Sequence, residues 1–199
     1  MKAVLASKNP HKLVEIQAIL GKLGMEVILE SELGIDIDVE ETGTTFEENS
    51  LLKAEAVMQA CGLPTLADDS GIAVDALNGA PGIYSARYGN KDSDEERTEF
   101  LLENVKDVPD DQRGAQFVCV ITCVWPDGRK IVARGECAGV LTHEVRGEGG
   151  FGYDPIFYVP ELGKTLAEIP AEHKNAISHR AKALQEFCRL YREGDFDDK

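Results

Sequence analysis

Short apolar runs and amphipathic stretches alternate along the first third of the chain. Lys2 to Ala6 is apolar almost throughout, as expected of a strand covered on both faces. Pro10 then opens a segment whose Leu13, Ile16, Ile19 and Leu20 recur at helical spacing, so the pattern predicts a strand, a tight polar turn and a helix. Glu26 to Leu29 reads as a second strand. Thr45 with Glu48 three residues on has the form of a capping box, and Phe46, Leu52, Val57 and Cys61 mark the helix behind it. Leu63 to Ala67 is again short and apolar, and it runs into Asp68-Asp69-Ser70-Gly71, which predicts a strand that stops at paired carboxylates.

Beyond that point the punctuation changes. Leu77 to Asn90, rich in Gly and Ala around Pro81, reads as a shaped loop, and Asp92 to Asn104 as a helix with Phe100 and Leu101 turned inward. Phe117 to Trp125 is β-branched and aromatic, and Pro126-Asp127-Gly128 is a turn before Ile131 to Cys137, the signature of an antiparallel hairpin. Gly147 to Phe157 is Gly-rich. Ser178 is expected to cap a last helix carrying Leu184, Phe187, Cys188 and Tyr191, followed by a frayed polar tail from Gly194 to Lys199. Strand–helix alternation followed by a hairpin indicates an α/β fold with a mixed sheet, and the absence of a linker or repeat indicates one domain over residues 1–199.

Charge narrows the function. A formal net charge of -15 opposes coating of nucleic acid or of an anionic membrane surface, since either needs a broadly positive face. A small anionic substrate stays open, provided a local pocket of Lys, Arg and backbone N–H groups receives it. The five cysteines are scattered, odd in number and without a C-x-x-C pair, which predicts reduced thiols and a cytoplasmic location. Cys119 and Cys123 lie in an apolar run and read as small core residues. The apolar start is too short for a signal peptide, and no segment approaches the roughly 20 apolar residues of a membrane span.

Four constellations could carry chemistry. Ser7-Lys8-Asn9-Pro10-His11-Lys12 lies between the first strand and helix, where free N–H groups and the helix dipole favour a phosphate; an ordinary helix cap with a solvated lysine produces the same string. Glu40-Glu41 and Asp68-Asp69 form two acidic pairs. Magnesium takes one or two carboxylates together with water and substrate phosphates, so these suffice for it, while Glu40 and Glu41 read equally well as solvated surface acids. Lys53 shares a helix face with Asn49. Finally, Phe151-Gly152-Tyr153-Asp154, Lys174 and Ser178-His179-Arg180 supply a flat ring, a close-approach glycine, a carboxylate and cations. These types could stack on a base and bond its edge, or could be a Gly-rich turn and a helix cap.

In this order the pieces resemble the inosine/xanthosine triphosphate pyrophosphatase family over nearly the whole chain. The motifs are Ser7-x-Asn9-x-x-Lys12, Glu40-Glu41-Thr42-Gly43 with Phe46-x-x-Asn49-x-x-x-Lys53, Ala67-Asp68-Asp69-Ser70-Gly71, Gly79-Ala80-Pro81-Gly82-Ile83-Tyr84-Ser85-Ala86-Arg87, Gly150-Phe151-Gly152-Tyr153-Asp154-Pro155 and Ser178-His179-Arg180. The resemblance implies an elongated mixed sheet flanked by helices, with two lobes and a nucleotide site in the cleft between them. It implies magnesium-dependent cleavage of inosine, deoxyinosine and xanthosine triphosphates to monophosphate and pyrophosphate, in a cytoplasmic homodimer. Asp69 would be the general base, Glu40 and Asp69 the metal ligands, and Glu41 and Asp68 their neighbours. Ser7 to Lys12, Lys53 and Ser70 would hold the phosphates, and Phe151 to Asp154, Lys174, His179 and Arg180 would surround ribose and base. One departure stands out: Ser7 and Lys8 occupy positions where the family commonly has Thr and Gly, which keeps the hydroxyl and adds a charge. Two further readings are a pyrophosphatase for modified pyrimidine nucleotides and a nucleotide-binding regulatory module without chemistry.

Overall fold

The computed structural model describes residues 1–194 and 196. Its regular elements are β1 (Lys2–Leu5), α1 (Pro10–Leu20), β2 (Glu26–Leu29), α2 (Phe46–Cys61), β3 (Thr65–Val74), α3 (Asp94–Asn104), β4 (Gly114–Val124), β5 (Lys130–Leu141), β6 (Phe157–Val159), β7 (Lys164–Thr165), α4 (Ala171–Ile177) and α5 (His179–Glu193). The strands order β2-β1-β3-β4-β5-β6-β7. β1 runs parallel to β2 and to β3, whereas β6 is antiparallel to both β5 and β7, so the sheet is mixed as expected.

The chain packs as two compact units, Met1–Asp69 with Cys119–Gly135 and the segment from His179, and Ser70–Val118 with Glu136–Ser178. In the first unit, side-chain alternation along the strands sorts residues onto two faces. Ala3, Leu5 and Leu66 pack with Ile16 and Leu20 of α1 and with Leu184, Phe187 and Cys188 of α5. Val4, Ala6 and Ala67, the residues of opposite parity, pack with Ala54 and Val57 of α2. Coverage on both faces explains why β1 reads as an unbroken apolar run. The second unit has a core of its own, in which Ile72, Val74, Phe117, Leu141, Phe157 and Leu101 of α3 are buried together.

Local chemistry explains the helix starts. Asn9 caps α1 by accepting from the His11 N–H at 2.9 Å, with Pro10 in the first helical position. Thr45 caps α2 by accepting from the Glu48 N–H. The Glu48 carboxylate, however, closes on the Thr44 N–H at 2.6 Å, one residue earlier than a regular capping box would place it. Ser93 and Glu96 form a complete box at α3.

One expectation is corrected, and two others gain detail. β3 does not stop at the acidic pair but continues to Val74, because each carboxylate finds cations on its own side of the strand. The segment Leu77 to Asn90, expected as a shaped loop, takes its shape from a kinked 3-10 segment over Gly82–Asn90. Of the expected polar tail, residues 195 and 197–199 lie outside the described residues, while the Phe196 ring packs, tilted, 4.8 Å from that of Trp125. Ser178 sits between α4 and α5 with extended backbone.

Candidate active site

β3 carries Asp68 and Asp69 into the first unit, and the alternation that sorts Leu66 from Ala67 sends the two carboxylates to opposite faces. Asp68 lies on the α1/α5 face and is fully buried. Its oxygens receive Lys12 Nζ at 2.5 Å, Arg180 Nε at 2.6 Å and the Cys119 thiol at 3.2 Å. Arg180 also reaches Glu15 through Nη1 at 2.5 Å. Burial opposes ionisation of Asp68, but the charges of Arg180 and Lys12 outweigh it and hold the carboxyl well below the usual range. Burial, reinforced by Asp68, pushes the Cys119 thiol far up, so it is an S–H donor and an inert core residue.

Asp69 lies on the α2 face. Its Oδ1 accepts from Lys53 Nζ at 2.9 Å, and its Oδ2 is buried without a hydrogen-bond partner. Burial and the nearby Glu41 raise its pKa against the lowering effect of Lys53. Lys53 also bonds Glu41 at 2.8 Å, and these two carboxylates keep its ammonium charged despite burial. The Lys53 and Lys12 ammonium groups converge on one backbone oxygen, that of Asp68, at 3.1 and 3.3 Å. The site therefore consists of two half-buried lysines, one saturated carboxylate and one under-satisfied carboxylate. A bare buried oxygen on a carboxylate of raised pKa can accept a proton from water or bind a hard cation. Among the described residues no three Asp, Glu, His or Cys side chains form a ready cage. This donor set fits magnesium, which completes its shell from phosphates and water.

The second unit gathers the segment around Phe151. Asp154 Oδ2 accepts from the Phe151 N–H at 2.9 Å and from Lys174 Nζ at 2.7 Å, and Lys174 stands 4.6 Å from the centre of the Phe151 ring. Gly150 has a φ of +70°, and a Cβ there would collide with the Asp154 carboxylate, so only glycine lets the loop close on that ion pair.

The structure places the other expected site residues as follows. Asn9 and Ser7 act as acceptors that shape the turn, with Ser7 Oγ taking the Asn9 N–H at 3.1 Å. Lys8 forms an exposed pair with Asp36, and His11 and Glu40 are exposed. Glu41, not Glu40, reaches the Lys53–Asp69 pair. Tyr153 turns into the core and donates to the Ser85 carbonyl at 2.7 Å. Ser70 follows Asp69 on β3, half-buried. Arg180 spends its guanidinium on Asp68 and Glu15, and His179 is buried. Sequence reasoning missed Glu15 and Gly135. Glu15 lies one helical turn beyond Lys12, a legible signal. Gly135 leaves room for the His179 carbonyl and the Ala183 N–H of α5, a close approach that the sequence alone does not reveal.

Fold and site together define an α/β protein with a charged, half-buried acid–base cluster on an interior strand of a mixed sheet. The chain belongs to the Ham1 family, which it matches over residues 3–190. A protein of Pectobacterium atrosepticum named dITP/XTP pyrophosphatase is 55% identical over 187 residues, 92% of this chain and 94% of that one. A protein of Escherichia coli O157:H7 with the same name is 50% identical over 97% of this chain and 99% of its own length. The solved structure of a Ham1 protein from Coxiella burnetii superposes with a TM-score of 0.88 at 43% identity, covering 98% of this chain and all of that one. No helix among the described residues is long and apolar enough to cross a membrane.

Proposed function

We propose that this chain hydrolyses non-standard purine nucleoside triphosphates, those of inosine, deoxyinosine and xanthosine, to the monophosphate and pyrophosphate, and so cleanses the nucleotide pool. The observation that carries the reading is Asp69: a carboxylate of raised pKa, oriented by Lys53 through one oxygen and with its other oxygen buried and bare. The names of the relatives in Pectobacterium and Escherichia coli support the same reaction.

In this reading Asp69 Oδ2 takes the proton of the water that attacks the α phosphorus, and Lys53 fixes the direction of attack. Lys12, Lys53, Ser70 and the turn residues Ser7, Asn9, Pro10 and His11 hold the triphosphate, while the Lys8 side chain stays with Asp36 at the surface. Magnesium would be held by Glu40 and Asp69, with Glu41 beside them, and would supply charge neutralisation for the departing pyrophosphate. Phe151 offers its ring to the base, and Lys174 and Asp154 stiffen that ring from one side. Tyr153 buttresses the segment from the core. His179 donates to the 6-keto oxygen, which adenine replaces by an amino donor; Arg180, engaged by Asp68 and Glu15, holds that helix start in place. The reading carries with it a homodimer in the cytoplasm, which light scattering on the purified protein tests.

Incubation with inosine triphosphate and magnesium, followed by product analysis, decides the reaction. Monophosphate plus pyrophosphate is expected, at a rate far above that on ATP. Release of inorganic phosphate and the diphosphate, or equal rates on both nucleotides, refutes it.

A further inference from the structure

Gly152 is the residue through which the backbone leaves Phe151, and α3 holds it from both sides. Its N–H donates to Asp94 Oδ2 at 2.8 Å, and its carbonyl accepts from Thr98 Oγ at 3.4 Å, across more than fifty residues of sequence. Asp94 is itself oriented. Its other carboxylate oxygen pairs with Arg97 Nη2 at 2.7 Å, and Arg97 Nη1 is tied to the Lys91 carbonyl at 2.8 Å. Phe151 has a second anchor within its own loop, the bond from its N–H to Asp154. A chain therefore runs from Lys91 through Arg97 and Asp94 to Gly152, and so to the backbone that sets the direction of the Phe151 ring. Gly152 has a φ of +60°, a conformation with no side chain to pack it in place, which leaves hydrogen bonds to its two peptide groups as the means of holding it.

We propose that Asp94 is a positioning residue for the base end of the substrate: through Gly152 it holds the Phe151 ring at the angle at which a purine stacks, without touching the nucleotide. This rests on the reading of Phe151 as the base platform. An interaction that orients the platform alike in the ground and transition states affects KM and leaves kcat alone. It also has no bearing on how the phosphate end is gripped.

The test is steady-state kinetics on the full chain with magnesium and inosine triphosphate, using inorganic tripolyphosphate as a competing probe of the phosphate end. Asp94→Ala is expected to raise KM about tenfold, the scale of a lost hydrogen bond to a charged group, with kcat within about twofold of the parent. The inhibition constant of tripolyphosphate is expected to stay unchanged. Asp94→Asn keeps an oxygen for the Gly152 N–H and is expected to recover most of the loss, which also separates positioning from damage to the start of α3. Phe151→Ala combined with Asp94→Ala is expected to be no worse than Phe151→Ala alone, since the second residue acts through the first. An unchanged KM, a tripolyphosphate constant that moves in parallel with KM, or full additivity in the double variant overturns the proposal. Should the parent protein fail to release pyrophosphate, the functional reading falls by itself, and calorimetric binding of inosine triphosphate to parent and Asp94→Ala protein then decides the positioning role; equal or absent binding overturns it.

Discussion

Asp68 and Asp69 are neighbours in sequence and opposites in chemistry. On the α1/α5 face, Asp68 has an ammonium, a guanidinium and a thiol around its two oxygens and is held ionised below the usual carboxylate range. On the α2 face, Asp69 has one lysine, a neighbouring glutamate and an oxygen with no partner, and its pKa is raised. The difference teaches how a strand can carry two like charges side by side. The pleat separates them, one face saturates its charge to build the scaffold, and the other leaves its charge under-satisfied and hence reactive.

Breaking the reactive side has the largest expected effect. Asp69→Asn should lower kcat by about a thousandfold, within the range of lost general-base catalysis, while nucleotide binding and the melting temperature change little. Pyrophosphate release and a thermal melt check both halves of that statement, and an active variant removes Asp69 from its role.

Breaking the saturated side should act on stability instead. Asp68→Ala leaves Arg180 buried without its main partner, which costs about 3–5 kcal/mol and, at roughly 2–4 °C per kcal/mol for a chain of this size, lowers the melting point by about 10 °C. Equal melting of the Asp68 and Asp69 variants would erase the contrast between the faces.

The pH dependence sharpens it further. The folded pKa of Asp68 is depressed, so its stabilisation is fully present above the ordinary carboxylate value near 3.8 and is lost as pH falls through the lower folded value. The folded pKa of Asp69 is raised, so its proton favours the folded state, and that contribution declines as pH rises from the same value through the folded one. The acid limb of kcat, which follows Asp69, should therefore lie above the ordinary aspartate value. Lys53→Met removes a lowering charge and should move that limb to higher pH, while Glu41→Gln removes a raising charge and should move it to lower pH. A pH–rate profile of each variant tests the two opposite signs.

The smallest effect is expected at the surface. Lys8 and Asp36 pair in the open, where solvent screens them. Lys8→Gly should leave the melting point unchanged and shift KM by less than about twofold, since a solvated pair of this kind contributes little. A large change in KM would show that Lys8 grips phosphate directly.

Much of this was legible from local pattern. The apolar runs located β1, β2 and the β4–β5 hairpin, Asn9-Pro10 and Thr45 marked helix starts, and the acidic pair with Lys12 and Lys53 pointed to the cluster that the fold assembles. What pattern misjudged was β3. Two aspartates look like the end of a strand when their partners are unknown, and the partners come from Lys12 on α1, Lys53 on α2 and Arg180 on α5. Arg180 and Tyr153 were legible as notable residues but not in their contacts, because residue type sets which bonds a side chain can make, not which atom stands within reach.

The sequence by itself determined the secondary elements, the two-faced burial of the parallel strands and the identity of the charged residues, since these depend on spacing and on residues close along the chain. Only the tertiary structure decided which carboxylate is saturated and which is left bare, that Glu41 and not Glu40 meets Lys53, and that α3 holds Gly152. Those outcomes depend on distances of a few ångströms between segments far apart in sequence, and a charge or a hydrogen bond acquires its energy from such distances.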